Sequence, residues 1–168
     1  PYTGSGCAAS ALCMDKIRSK AVAELGGIRV ADHVVFARTD WDKDAARVTS
    51  LVADSIGFPC VVKNSTQGSS LGMAMPQTEA EFAGAVKEVL RFGSEILADR
   101  YLSGLELTCG VLDLDEETGP YALPVTEIRP VKAKFFDYGA KYTPGATKEI
   151  TPAQIDDAVR DQVQEMSV

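Results

Sequence analysis

The sequence holds one histidine, His33, and four cysteines, Cys7, Cys13, Cys60 and Cys109, with no C-x-x-C pair. Together they offer no credible zinc set. The cysteines sit among apolar neighbours, so buried free thiols are expected rather than disulfides, and with them a reducing cytoplasm. No apolar run approaches the length of a membrane span. The opening residues PYTGSG are neither basic nor long and apolar, so no signal peptide is visible. Positive charge is the minority sign: 17 Lys and Arg against 24 Asp and Glu give a net charge of -7. That balance disfavours nucleic acid as a partner, since its phosphates dominate affinity. It leaves room for a nucleotide, which needs only local positive charge. No Walker motif, internal repeat or low-complexity tract occurs.

What is present reads as a mixture of helices and strands. Residues 1–13 are rich in Gly, Ala and Ser and suggest a turn leading into a short helix. From Asp15 to Leu25, Ile17, Ala21 and Leu25 recur at helical spacing, and Gly26-Gly27 ends the pattern. Residues 28–37 carry the β-branched enrichment of a strand, with His33 partly exposed on it. A helix starting near Asp40 or Asp42 bears Val48, Val52 and Ile56. Thr78 and Glu81 form a capping box for a helix with Phe82, Val86, Val89 and Leu90 on one face. Strands are expected over 95–101 and 106–114, and extended chain over 121–131. Residues 132–148 combine lysines and aromatics without periodicity and read as a functional loop or a solvated basic hairpin. Thr151 and Gln154, with Pro152 in the first turn, open a last helix carrying Ile155, Val159, Val163 and Met166. The elements do not alternate strictly enough for a doubly wound sheet, so the expected class is α+β with antiparallel sheets.

The stretch Pro59–Met75, PCVVKNSTQGSSLGMAM, is the most informative. An apolar strand end is followed by Lys63, then by a loop of small residues including Gly68, Ser69, Ser70 and Gly72. Small side chains let backbone N–H groups approach oxygen anions, and the lysine adds a point charge. A β-hairpin with a glycine-rich turn is the plainer reading. Lys16, Lys63 and Lys141 would each suit an ordinary surface. Gathered around an anion loop they suit a triphosphate, at about 1.5–3 kcal/mol per charge-assisted contact. The run Asp99, Tyr101, Glu106 suits a nucleoside, although strand ends often carry acids.

Those residues fall within an ordered series: PYTGSG with ASALCMDKIRSK, FPCVVKNSTQGSSLGM, LSGLELT, EIRP and FFDYGAKY. In order and spacing the series resembles the D-alanine–D-alanine ligases of the ATP-grasp family, over nearly the whole length. The resemblance implies an ATP-grasp fold with mixed or antiparallel sheets and packed helices, truncated at both ends. It implies ATP with magnesium, two D-alanines joined through an acyl phosphate, peptidoglycan precursor synthesis and a homodimeric parent. Lys16 and Lys63 would contact phosphates, and Gly68, Ser69 and Ser70 would close over them. Asp99 would face the adenine amino group, with Arg100, Tyr101 and Leu102 along the adenine edge and Glu106 on the ribose hydroxyls. Lys141 would reach the γ-phosphate, and Tyr142 would close the substrate site with Ser70. Ser70, Lys141 and Tyr142 are thus the expected catalytic residues.

The chain departs from the family pattern in three places. Asp99 stands for the usual glutamate, Asn64 for the usual proline, and Gly139 for a larger residue. The family's N-terminal domain and its C-terminal metal-binding segment are not expected here. No G-R-x-D or E-x-N motif follows residue 150, so no metal ligand is assigned. The expected organisation is a linker over 1–14, a smaller lobe over 15–97 and the start of a larger lobe over 98–168. Alone, such a piece would be inactive, and an open sheet edge would favour self-association. Ligases that use D-lactate or D-serine as second substrate, and a non-catalytic nucleotide-binding or oligomerisation module, are the alternatives.

Overall fold

The computed structural model describes residues 3–113, 117–130, 143 and 145–168. The chain divides into two compact units, Pro1–Leu102 and Ser103–Val168.

In the first unit, helices α1 (Cys7–Met14) and α2 (Lys16–Leu25) precede strand β1 (His33–Ala37). Then come α3 (Arg38–Lys43), α4 (Ala45–Ser55), β2 (Cys60–Asn64), β3 (Met73–Ala74), α5 (Glu79–Val89) and β4 (Glu95–Arg100). The strands form one antiparallel sheet in the order β1-β4-β2-β3. Strand alternation sends Val34, Phe36, Cys60, Val62, Ile96 and Ala98 to one face, all buried. The helical stripes Val48, Val52, Ile56 and Phe82, Val86, Val89, Leu90 complete this core. Phe82 sits at its centre, with the rings of Phe58, Trp41 and Phe36 at 5.7, 5.8 and 6.3 Å.

Several local expectations need correction. The strand predicted from residue 28 begins only at His33, because its ladder with β4 runs from His33↔Asp99 to Ala37↔Glu95. The single helix predicted from Asp40 or Asp42 is two. Asp40 lies in the first turn of α3 and accepts from the Ala37 N–H, and Asp44 caps α4 through the Arg47 N–H. The Thr78 capping box does not form; Glu81 reaches the Gln77 N–H instead, at 2.8 Å. All four cysteines are free, but only Cys60 is buried; Cys7 and Cys13 are exposed on α1, whose apolar residues have no core beneath them.

In the second unit, β5 (Glu106–Thr108), β8 (Thr126–Pro130) and β9 (Thr147–Ile150) form an antiparallel sheet in the order β5-β8-β9. Strands β6 (Val111–Asp113) and β7 (Pro120–Ala122) form a separate ribbon. The strand predicted over 106–114 is therefore broken, where the Gly110 carbonyl turns aside to accept from the Leu123 N–H. The last helix, α6, spans Asp157–Ser167 rather than starting at Thr151. Its predicted first turn is held elsewhere: Ala153 N–H donates to the Val125 carbonyl, and the Thr126 and Thr151 hydroxyls meet at 2.6 Å. Among the described residues no helix is long and apolar enough to cross a membrane.

Candidate functional site

The register of the four-stranded sheet places His33, Val35, Val61, Lys63, Met73, Leu97 and Asp99 on the face opposite the core. Two of these carry charge. Asp99 is 5% exposed, so its carboxylate needs partners. Lys63 Nζ lies 2.6 Å from Asp99 Oδ2, and Lys20 Nζ lies 2.5 Å from Oδ1. Lys20 also donates to the Ala31 carbonyl at 3.0 Å. Two ammonium groups on one carboxylate leave the cluster with a surplus positive charge.

Helix α2 brings two lysines to this region because Lys16 and Lys20 are one turn apart. Its start is fixed by Asp15, whose Oδ1 accepts from the Ile17 and Arg18 N–H groups, both at 3.1 Å. The Arg18 N–H holds this carboxyl below its usual value, burial opposes, and the Arg18 guanidinium adds to the lowering. Lys16 ties α2 to the segment after β2. Its N–H donates to the Ser65 carbonyl at 2.9 Å, and its Nζ donates to the carbonyls of Ser65 and Gln67.

The loop over 65–72 leaves β2 through Asn64, which is 2% exposed. Asn64 Oδ1 accepts from the Thr66 N–H at 3.1 Å and its hydroxyl at 3.3 Å, an Asx turn. Asn64 Nδ2 donates to the Glu95 carbonyl, and the Asn64 N–H donates to the Gly72 carbonyl at 3.1 Å. Proline, the usual residue here in the resemblance above, has no N–H to give. Ser69 and Ser70 both take left-handed φ values, 51° and 59°. Consecutive non-glycine residues there are uncommon and cost free energy, a feature that concentrates at ligand clamps. Leu71 N–H closes the turn on the Gly68 carbonyl at 2.9 Å. Backbone N–H groups in such left-handed turns are suited to anions.

The structure thus pairs Lys63 with Asp99 across the sheet, ties Lys16 to the segment 65–67 after β2, and sets Gly68, Ser69 and Ser70 in the loop that follows; Asp99, opposite Val61, lies toward the other end of β2 from that loop. Arg100, Tyr101 and Leu102 follow Asp99 directly. Arg100 is anchored by Asp32 and the Ser55 carbonyl, both at 3.0 Å, and Tyr101 N–H donates to the Pro59 carbonyl. Leu102 is exposed. Glu106 opens β5 in the second unit, on the exposed face of that sheet. Lys141 and Tyr142 lie outside the described residues, as do Gly139 and the rest of the FFDYGAKY motif. Sequence reasoning misses Lys20. Its signal is present in MDKIRSK, where it stands four residues after Lys16. A surface cleft in the second unit, lined by Leu105, Gln154, Ile155, Asp156 and Val159, contains none of the expected residues.

Cys60, on the core side of β2, is not a nucleophile. Burial pushes its thiol up to about 11, with the Asp99 charge adding to the effect, so the reactive thiolate is suppressed. Among the described residues, no three His, Cys, Asp or Glu side chains gather in a set that could hold a metal ion. The lysines and loop donors fit a polyphosphate; the described carboxylates do not build a magnesium site, and no step is assigned to one.

Residues 22–168 match the family model described as "D-ala D-ala ligase C-terminus". The D-alanine–D-alanine ligase of Syntrophobacter fumaroxidans is 41% identical over 98% of this chain and 51% of its own length. That of Halalkalibacterium halodurans is 38% identical over 100% of this chain and 52% of its own length. Among solved structures, the D-alanine–D-alanine ligase from Bacillus anthracis superimposes with a TM-score of 0.75 at 30% identity, covering 99% of this chain and 50% of that one. The VanG D-Ala:D-Ser ligase from Enterococcus faecalis gives 0.76 at 29%, covering 94% and 44%. The chain spans about half the length of the curated relatives it matches.

Proposed function

This chain belongs to the D-alanine–D-alanine ligase family, in the region its C-terminal family model describes, and on that premise we propose that it is the ATP-binding portion of a ligase joining two D-alanines. Its α+β fold is that of the ATP-grasp ligases. The observation that carries the reading is Lys63, held against the buried Asp99 beside Lys20 and two residues ahead of a loop whose Ser69 and Ser70 are left-handed. A surplus of lysine charge on the strand that leads into a loop of small residues fits a polyphosphate chain.

In this reading Lys63 and Lys16 bind phosphate oxygens and the loop over 65–72 shields them from water. Asp99 accepts from the adenine amino group, Arg100–Leu102 flank the base, and Glu106 takes the ribose. The carboxylate of one D-alanine attacks the γ-phosphorus, giving an acyl phosphate and ADP. The amine of the second D-alanine attacks the acyl carbon, and phosphate leaves. Lysine charge offsets the negative charge of the phosphoryl group in transfer, and exclusion of water protects the acyl phosphate. Lys141 at the γ-phosphate, and Ser70 with Tyr142 at the substrate, complete the assignment. A cytoplasmic, homodimeric parent enzyme acting in peptidoglycan precursor synthesis belongs to the same reading.

The test is product analysis with the whole protein that carries this chain, supplied with ATP, magnesium and D-alanine. Equal release of ADP, phosphate and D-alanyl-D-alanine is expected. ATP turnover without that dipeptide, or a product formed only with added D-serine or D-lactate, overturns the substrate assignment.

A further inference from the structure

We propose that Lys20 is a positioning residue: a stationary counter-ion that holds Asp99 so that Lys63 can leave it for the nucleotide phosphates. The inference rests on the nucleotide reading above and concerns a residue that reading does not use. Asp99 is buried and its two carboxylate oxygens are divided between two lysines, Oδ1 to Lys20 and Oδ2 to Lys63. The two lysines differ in how they are held. Lys20 has a second acceptor, the Ala31 carbonyl at 3.0 Å, and its side chain is 15% exposed. The Lys63 side chain is 27% exposed and stands two residues before the loop. It is the more accessible of the pair and the nearer in sequence to the loop over 65–72.

If Lys63 were the sole partner of Asp99, moving it to a phosphate would strand a buried carboxylate, which is strongly unfavourable. Asp99 would then compete with the ligand for the one lysine. With Lys20 in place, Asp99 keeps a charge-assisted bond and a fixed orientation throughout. The arrangement therefore lowers the cost of releasing Lys63 and keeps the carboxylate aimed for base recognition.

The test is a double-mutant cycle on ATP affinity by calorimetry, in the whole protein, with Lys20→Met and Asp99→Asn. Lys20→Met is expected to weaken ATP at least tenfold in the native background and less than twofold when Asp99 is already Asn. Lys20→Arg, which keeps the charge, is expected to restore affinity to within threefold. Inorganic tripolyphosphate, which has no base, should show the same dependence, because the lysine released acts on phosphate. Melting curves accompany each variant, and Lys20→Gln replaces the methionine variant in the cycle if that variant is unfolded. Equal weakening by Lys20→Met in both backgrounds, or none in either, overturns the role of Lys20. Failure of the unmodified protein to bind ATP at all would instead overturn the nucleotide reading.

Discussion

Replacing Gly93 by alanine should destabilise the first unit although its backbone conformation suits any residue. The new Cβ would lie 2.2 Å from Asn64 Nδ2, 3.0 Å from Cγ and 3.2 Å from Oδ1. Asn64 has no free space to enter, being 2% exposed. To move, it must give up the bonds from the Thr66 N–H and hydroxyl and its own bond to the Glu95 carbonyl. Each is worth about 0.5–1.5 kcal/mol, and crowding adds to the loss, so a total of about 2–4 kcal/mol is expected. Gly84 supplies the opposite control. It lies within α5 with nothing within 4 Å of its would-be Cβ. Gly84→Ala should therefore stabilise by about 0.5–1 kcal/mol through helix propensity. Urea unfolding of both variants reads the two signs directly. Because Gly93 and Asn64 compete for one volume, Asn64→Ala should cost less in the Gly93→Ala background, with a coupling of about 1 kcal/mol or more. A Gly93→Ala protein as stable as the parent would refute the reasoning.

Phe82→Ala removes the fully buried ring on which Phe36, Trp41 and Phe58 converge. It should cost about 3–5 kcal/mol, read by chemical unfolding and by a red shift of Trp41 fluorescence. Cys7 and Cys13 should react at once with an aromatic disulfide reagent, while Cys60 reacts only after unfolding. The same thiol sets an alkaline limit. It ionises near 9.0 when unfolded and near 11 when folded, so the unfolded state loses its proton first. Stability owed to this group is intact below pH 9 and falls by about 3 kcal/mol as pH rises through that window. A Cys60→Ala variant should lack that slope in alkaline melting curves.

The core was legible because helical periodicity and strand alternation are direct records of burial. Val48, Val52 and Ile56, and Phe82 with Val86, Val89 and Leu90, stand out as stripes from their spacing alone, and the folded chain buries every one of them. Element ends were not legible, because competing acceptors decide them. Asp40, Asp42 and Asp44 are equivalent as letters, yet only Asp44 caps α4. Thr151 and Gln154 imitate a helix start, but a tie from Ala153 to Val125, distant in sequence, takes the donor away. The candidate site was legible as a local pattern, in Lys63 and the loop that follows. It was opaque where partners are remote: Lys20 and Asp99 are 79 residues apart and meet only through the sheet. As a letter, Asn64 shows only a departure from a pattern. Its role as the loop's Asx anchor depends on where the Glu95 carbonyl, 31 residues away, comes to lie.

The strand order β1-β4-β2-β3 has a consequence for the birth of the protein. The central strand β4 is the last of this sheet to be made. Ala37 must wait for Glu95, and His33 for Asp99, before β1 has any ladder at all. At about 5–20 residues per second, β1 leaves the ribosome on the order of 3–12 s before its partner. During that interval β2 and β3 can already form a hairpin, but Val34, Phe36 and Val62 have no finished core to enter. Residue Arg100 is therefore a checkpoint in synthesis, and chains interrupted before it should be substrates for holding chaperones rather than partly folded lobes. Completion of β4 delivers Asp99 between its two lysines in the same event that closes the sheet.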